Sequence, residues 1–323
     1  MSAALETLML ALRRRGEAGR ILFLGAEPHT DLQRVIGWQP MKPLANRCEA
    51  AGMQLTSEPQ GEFDTVLFLP GKSKDEILAG YSRAYDLMAP DGMLIVALPN
   101  TAGASRFEKE LSKATELLFS ISKNKCRAFA VKKSEGWDAQ LLKRWETIAQ
   151  PRVILGTDYW VAPGVFSAER IDPGSRLLKE YLPASLRGEV ADLGAGWGYL
   201  SDVALAKSPK ISQIDLFEAD SRALECAHRN VPDKAVFHWH DVTGGLPSKY
   251  DHIIMNPPFH TAQTKDLDLG KSFLTVAAAS LKRRGSLHLV ANRQLPYESH
   301  LESLGLRSRI LTENHAYKVI FAS

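Results

Sequence analysis

From Glu189 to Gly198 an apolar strand runs without interruption into three glycines at alternate positions: Glu189-Val-Ala-Asp192-Leu-Gly194-Ala-Gly196-Trp-Gly198. Glycine has no Cβ, so the backbone here can turn tightly through conformations closed to other residues and lie directly against a ligand. A helix begins near Tyr199. Strand, glycine turn and helix N-terminus in that order open a parallel α/β unit, with free helical N–H groups at the turn.

The remaining second half keeps the same rhythm. Gln213–Glu218, Ala235–Trp239, Asp251–Met255, Ser286–Ala291 and Lys318–Ala322 read as five further strands. Between them, Ser221–Asn230 carries Ala223, Leu224 and Ala227 at helical spacing, and Lys271–Lys282 is rich in Ala and Leu. Alternating strands and helices predict a parallel sheet covered on both faces.

The first half repeats part of this plan. Arg20–Gly25 corresponds to the strand and first glycine, and Phe63–Pro70 corresponds to Tyr250–Pro257. Asp91–Ala97 corresponds to Arg284–Val290, and Lys125–Ala130 to the last strand. A period this long indicates domain duplication. The copies differ in chemistry. Glu27 and Pro28 stand where the second half has glycine, which closes the approach to a ligand, and Leu69-Pro70-Gly71-Lys72 replaces Asn256-Pro257-Pro258-Phe259. The expected fold is therefore α/β with two tandem Rossmann-like domains, 1–150 and 151–323, the N-terminal one degenerate. Ser134–Ala149 reads as a polar helix at the joint, followed by a short hairpin from Arg152–Leu155 to Asp158–Val161.

A length of 323 residues suits two domains. With 45% hydrophobic and 24% charged residues the composition is that of a soluble globular protein. No apolar run approaches a membrane span, and Met1–Gly16 reads as an amphipathic helix without the order of a secretory signal. Cys48, Cys126 and Cys226 are scattered, which argues against a disulfide framework or a zinc site, and the cytoplasm is the expected compartment. A formal charge of +3 permits nucleic-acid contact without demanding it. Basic residues gather at Lys123, Lys125, Arg127, Lys132 and Lys133 and at Lys282, Arg283 and Arg284. Either group is a phosphate-contact surface or simply a solvated face.

The GxGxG spacing suits the methionine portion of S-adenosylmethionine better than a dinucleotide pyrophosphate, with Asp192 near the ammonium. Glu218 ends the second strand, where an acid accepts from both ribose hydroxyls; Asp220 is its near rival. Asp241 follows the third strand and can accept from the adenine amine. Each acid could instead cap the helix after it. After the fourth strand comes Asn256-Pro257-Pro258-Phe259. The prolines stiffen the loop and leave its carbonyls available. The Asn256 side-chain oxygen and the Pro257 carbonyl can accept from one exocyclic NH₂, and Phe259 offers a π-face to a base. Aligning nucleophile, methyl and leaving sulfur supplies most of such a reaction's acceleration without a strong general base. His260 touches substrate or packs the loop.

Asn256–His260, Gly164-Val-Phe166-Ser167, Asp172-x-Gly174-Ser175 and Leu289-Val-Ala-Asn292-Arg293-x-Leu295-Pro-Tyr297 together resemble the ribosomal RNA guanine-N2 methyltransferases. The pattern of the small-subunit (16S) methyltransferase C fits best, and the large-subunit (23S) methyltransferase G is similar. That family also pairs a degenerate N-terminal methyltransferase-like domain with an active C-terminal one. The resemblance implies an S-adenosylmethionine-dependent enzyme without a metal, which methylates the exocyclic N2 amine of a guanine. Asp192, Gly194, Gly196, Gly198, Glu218 and Asp241 would bind the donor. Asn256, Pro257 and Phe259 would act on the guanine, with Pro258, His260, Phe166, Asn292 and Arg293 against the substrate. The implied partner is ribosomal RNA or a ribosomal subunit, met by a monomer. Trp197 departs from the pattern, which expects a smaller residue. A protein glutamine methyltransferase would use the same Asn-Pro-Pro clamp, but usually carries tyrosine at the Phe259 position and lacks the duplication. A noncatalytic RNA-binding assembly factor is opposed by the intact Asn256 and glycines.

Overall fold

Two seven-stranded sheets carry the chain, and both are built to one plan. The computed structural model describes residues 1–16, 19–258 and 264–323. The chain divides into the units Met1–Pro151 and Arg152–Ser323.

The first unit begins with α1 (Ala3–Arg15), capped by the Ser2 hydroxyl, which accepts from the Leu5 N–H. There follow β1 (Ile21–Leu24), β2 (Ile36–Trp38), α2 (Lys42–Ala50), β3 (Gln54–Leu55), β4 (Phe63–Phe68), α3 (Lys74–Leu87) and β5 (Met88–Pro99). The unit closes with α4 (Ala104–Leu111), β6 (Leu117–Lys123), β7 (Cys126–Lys132) and α5 (Ala139–Ala149). The strand order is β3-β2-β1-β4-β5-β7-β6. All neighbours are parallel except β7, which is antiparallel to β5 and β6. Strand residues alternate between two cores. Leu22, Leu24, Val66 and Phe68 face α3, α4 and α5, while Phe23, Leu67 and Ile95 face α1 and α2.

The second unit starts with the expected hairpin, β8 (Arg152–Val153) and β9 (Trp160–Val161), paired antiparallel. It continues through α6 (Pro173–Tyr181), β10 (Gly188–Leu193), α7 (Tyr199–Lys207), β11 (Ile211–Glu218), α8 (Ser221–Asn230), β12 (Ala235–Trp239) and β13 (Tyr250–Met255). Last come α9 (Thr264–Ser280), β14 (Leu281–Asn292), α10 (Tyr297–Ser303), β15 (Ser308–Glu313) and β16 (Tyr317–Ala322). The order β12-β11-β10-β13-β14-β16-β15 repeats that of the first unit, with β16 again the antiparallel strand. α6, α7 and α8 cover one face, α9 and α10 the other.

The duplication reaches individual hydrogen bonds. The Arg20 N–H donates to Asp64 Oδ2 at 2.7 Å before β1, and the Glu189 N–H donates to Asp251 Oδ2 at 2.9 Å within β10. In both cases a glycine stands just before, because a Cβ at Gly19 or Gly188 would lie 2.3 Å from that carboxylate. Asp91 and Arg284 adopt the same left-handed turn, with φ of 62° and 68°. Shared topology alone would not reproduce these details, so the two-domain α/β expectation holds in detail.

Three features depart from the sequence reading. The edge strands β3, β6 and β15 are not foreseen. They are short or half-exposed, and Ile310 of β15 faces out, so they lack a clean apolar alternation. α9 starts earlier than the Ala/Leu-rich stretch that marks it. The helix read as a polar joint, α5, is a core element: Trp145 is fully buried and meets Tyr81 edge-on at 5.4 Å between ring centres. Trp137 is buried too, its indole N–H donating to the Lys132 carbonyl at 2.8 Å.

Trp145→Ala should therefore lower the stability of the first unit by about 3–5 kcal/mol, as an emptied large aromatic site does. Urea unfolding followed by fluorescence checks this, and a change below about 1 kcal/mol would return α5 to the status of a linker.

Candidate functional site

Parallel strands covered on both faces open only at their ends, and ligands of such sheets gather where the strand order reverses. Here that point lies between β10 and its neighbours β11 and β13, beyond their C-terminal ends. Asp192 and Glu218 sit at the ends of β10 and β11, Asp241 and Asn256 just after β12 and β13, and Asn292 at the end of β14. The sequence-predicted acids and the asparagine thus share one edge.

The three glycines serve three purposes. All have positive φ, 73° at Gly194, 57° at Gly196 and 91° at Gly198. Among the described residues a Cβ on Gly196 would meet nothing within 4 Å, so this glycine borders open space. A Cβ on Gly198 would fall 2.4 Å from Val231 and 3.3 Å from Ala227. Gly198, expected at the cofactor, instead lets α7 start against α8. Trp197 is buried; its indole N–H donates to the Phe166 carbonyl at 3.0 Å and its ring packs with Tyr159 and Tyr199. The bulk that departs from the pattern ties the glycine turn to the segment before α6. Asn230 completes this support. Its Nδ2 donates to the carbonyls of Trp197 and Trp160, both at 2.8 Å, and its Oδ1 accepts from the Trp160 N–H at 2.7 Å.

The acids divide likewise. Asp192 is fully buried. Its Oδ2 accepts from Ser201 at 2.7 Å and its Oδ1 has no partner among the described residues. Burial pushes its pKa up to about 7; the Ser201 bond opposes this and the nearby Glu218 adds to it. Glu218 accepts from the Gly196 N–H at 2.7 Å and the Asp220 N–H at 2.8 Å, and burial likewise raises its pKa. Asp220 caps α8 and forms a two-point ion pair with Arg222 at 2.9 and 2.8 Å, so the rival acid is structural. Asp241 caps the single turn Val242–Gly244, its Oδ1 accepting from the Thr243 N–H and hydroxyl.

Around Asn256 a pocket is lined by Phe166, Asp172, Ser175, Gly194, Gly196 and Trp197 among others. The Asn256 Nδ2 donates to Asp172 Oδ2 at 2.9 Å and to Ser175 Oγ at 2.8 Å. Among the described residues its buried Oδ1 has no partner. Asp172 also caps α6 by accepting from the Ser175 N–H at 2.8 Å. Asp172 and Ser175 appear in the sequence only as family markers, and the signal that could have given them a role is the Asp-Pro-x-Ser form of a helix cap lying beside an Asn-Pro-Pro loop. Phe166 is 56% exposed on the pocket wall. Pro257 and Pro258 continue from Asn256, whereas Phe259 and His260 lie outside the described residues. Asp192, Gly198, Glu218, Asp241, Pro257, Pro258, Asn292 and Arg293 are not in the pocket lining. Arg293 is exposed beyond β14, and Asn292 Oδ1 accepts from the Gln294 N–H at 3.1 Å.

The first unit has closed the corresponding place. Its glycine turn starts identically, with the Gly25 and Ala26 N–H groups on the Trp38 carbonyl just as Gly194 and Ala195 sit on that of Phe217. Then the paths part. The Leu69 carbonyl lies 2.1 Å from where a Gly25 Cβ would be, whereas only Phe273 comes within 4 Å at Gly194. Gln39 occupies the Glu218 position and turns inward, donating to the Ala26 carbonyl at 2.7 Å.

The basic run at the end of this unit is not one patch. Lys123 and Lys125 are exposed at the β6–β7 turn, while Lys132 and Lys133 lie a full strand away, roughly 20 Å at about 3.3 Å per residue. Arg127 pairs with Glu108, and Lys132 with Asp91 at 2.8 Å; Lys133 donates to the Met88 carbonyl. In the second unit Lys282 is held by Glu189 and Asp251.

The family model described as "methyltransferase small domain" matches residues 157–321, just over half of the chain. Curated relatives include the ribosomal RNA small subunit methyltransferase C of Pectobacterium atrosepticum, 27% identical over 290 residues, covering 88% of this chain and 82% of the relative. The protein of the same name from Haemophilus influenzae is 28% identical over 272 residues, covering 83% and 82%. Among solved structures, the T. thermophilus 16S rRNA N2 methyltransferase in complex with AdoMet and guanosine superposes with a TM-score of 0.79 at 24% identity, covering 98% of this chain and 91% of that one.

The glycines separate fold from ligand experimentally. Gly198→Ala should destabilise the second unit by about 3 kcal/mol through strain and overlap with Val231. Gly196→Ala should cost only the left-handed strain, about 1 kcal/mol, while abolishing ligand protection against heat. Thermal melts with and without S-adenosylmethionine distinguish the two; equal protection of Gly196→Ala and the parent chain would remove Gly196 from the ligand site.

Proposed function

The chain belongs to the methyltransferase small-domain family, and from that premise we propose that it transfers a methyl group from S-adenosylmethionine to the exocyclic N2 amine of a guanine in 16S ribosomal RNA. The observation that carries this reading is the Asn256 amide: its N–H₂ is committed to Asp172 and Ser175, and its buried oxygen acceptor meets no donor among the described residues. An unmet buried acceptor is costly, and an amine N–H satisfies it. The curated relatives named as small subunit methyltransferases support the choice of RNA.

The residues present suit the donor. Gly196 borders open space, Glu218 stands beside it with a carboxylate held by backbone N–H groups, and the unpartnered Asp192 Oδ1 favours a cationic group nearby. Bound there, S-adenosylmethionine supplies an electrophilic methyl on a sulfonium leaving group. Asn256 Oδ1 and the Pro257 carbonyl accept from the guanine amine and fix its nitrogen on the line of transfer, and positioning of this kind lowers the barrier without proton abstraction beforehand. Phe166 offers an exposed face to the base, and Arg293 meets the RNA backbone beyond the pocket. The family resemblance adds Phe259 and His260 to the substrate side and Asp241 to the adenine. In the first unit, Lys123 and Lys125 supply phosphate contacts. The working setting is the cytoplasm, with a monomer acting on RNA in a ribosomal subunit or its precursor; among the described residues no helix is long and apolar enough to cross a membrane.

Incubation with labelled donor and 16S RNA, free or in assembled subunits, followed by mass mapping of nuclease fragments, should place the methyl on one guanine. Asn256→Ala should lower the rate roughly 100-fold, equivalent to about 2.7 kcal/mol of transition-state stabilisation, while donor affinity stays within about twofold. Label on protein or on no RNA at all would refute the substrate.

Asp192 gives the donor site a pH dependence. Its folded-state pKa of about 7 lies above the ordinary value of 3.8, so without ligand the folded chain loses stability as pH rises from about 4 through 7. A donor ammonium nearby favours the ionised form, so binding below pH 7 must expel a proton. Affinity should rise about tenfold from pH 6 to pH 8, and Asp192→Asn should flatten the profile and raise the unliganded melting temperature at pH 8. Calorimetry across that range checks both; a flat profile in the parent chain would place the ammonium elsewhere.

A further inference from the structure

We infer that Asp172, assisted by Ser175, is a positioning residue that locks the Asn256 amide in a single orientation, so that the pocket presents an acceptor and selects a substrate carrying an exocyclic amine. This deepens the reading proposed above and rests on it. An asparagine amide is nearly symmetrical in shape, and turning it by half a revolution exchanges a donor for an acceptor. In the turned state Asn256 would offer N–H groups to the substrate and accept a carbonyl edge instead of an amine. What sits behind the amide therefore sets what the site reads.

Two groups sit there, and they differ in kind. Asp172 Oδ2 lies 2.9 Å from Asn256 Nδ2. An ionised carboxylate only accepts, so the turned amide would bring two oxygens together at that distance. Ser175 Oγ lies 2.8 Å from the same nitrogen. A hydroxyl can donate or accept, so Ser175 tolerates either orientation. Asp172 decides and Ser175 reinforces. Asp172 is itself fixed: its Oδ2 also accepts from the Ser175 N–H at 2.8 Å as the cap of α6, and the residue is buried. A Cβ at Gly174 would lie 3.0 Å from that carboxylate and 3.1 Å from Tyr317, so the first turn of α6 is closely fitted around it. The cap of one helix thereby sets the polarity of a side chain on the loop after β13.

The test separates capping from positioning. Asn, Ser and Asp all cap helices well, so Asp172→Asn and Asp172→Ser should both fold and melt at similar temperatures. In Asp172→Asn the Ser175 N–H still demands an oxygen at the Oδ2 position, and that oxygen still accepts from Asn256. The kcat of this variant should stay within about fivefold of the parent, the loss reflecting only the weaker bond to a neutral acceptor. The serine of Asp172→Ser caps the helix but is too short to hold Asn256. Its kcat should fall by at least about tenfold, with the KM for S-adenosylmethionine unchanged, and Ser175→Ala should fall less. Equal activity of the asparagine and serine variants at equal stability would overturn the proposal, because either the cap or the carboxylate charge would then be the operative feature.

The side-chain amide protons of Asn256 give a readout independent of turnover. Identified in ¹⁵N-labelled protein by their loss in Asn256→Asp, they should exchange slowly with solvent in the parent and in Asp172→Asn and rapidly in Asp172→Ser. Rapid exchange in the parent refutes the lock. Slow exchange dependent on Asp172, in a protein that does not methylate guanine, leaves the lock standing and refutes the substrate.

Discussion

A parallel sheet with both faces buried can meet solvent only along its strand ends, and that constraint decides where everything else in this protein lies. β10, β11 and β13 carry apolar side chains to both sides, so their polar residues are displaced to the carboxyl edge. There Asp192, Glu218, Asp241 and Asn256 stand at or just beyond the ends of neighbouring strands. Removal from water then does chemical work. Among the described residues it leaves Asp192 Oδ1 and Asn256 Oδ1 without partners, a costly condition for a buried polar atom.

The legible part of the fold is the part this constraint writes into the sequence. Central strands such as β10 and β13 read directly as short apolar runs, and the glycine turn announces the helix after it. Edge strands lie outside the constraint. β15 has solvent on one side, so its residues need not be apolar, and no periodicity betrays it. α5 is harder to read for a different reason: Leu141, Leu142, Trp145 and Ile148 form its core-facing stripe, but only Trp145 is fully buried and Lys143, Arg144 and Glu146 stand between them in the sequence.

The site divides similarly. Residue types that ligand chemistry would require, such as Gly196, Glu218 and Asn256, stand out in the sequence. Residues that act through another residue do not. Asp172 is a helix cap to any local reading, and only three-dimensional proximity shows its second duty. Asn230 looks like the end of a helix, yet it fastens the β8–β9 hairpin to the glycine turn. Gly198 carries a demand its motif position does not announce: its neighbours Val231 and Ala227 leave no room for a Cβ.

The first unit lost its site by a route that leaves little way back. Had a bulky side chain filled the old pocket, one substitution could have reopened it. Instead the main chain itself occupies the place, with the Leu69 carbonyl lodged against Gly25 and the inward Gln39 amide sealing the Ala26 carbonyl. Every substitution at Leu69 keeps that carbonyl. Opening a pocket there would need the backbone path of the loop to change, which exchanging one side chain does not do. Such a loss behaves as an evolutionary ratchet, and it frees the surface of this unit to change under whatever other selection acts on it.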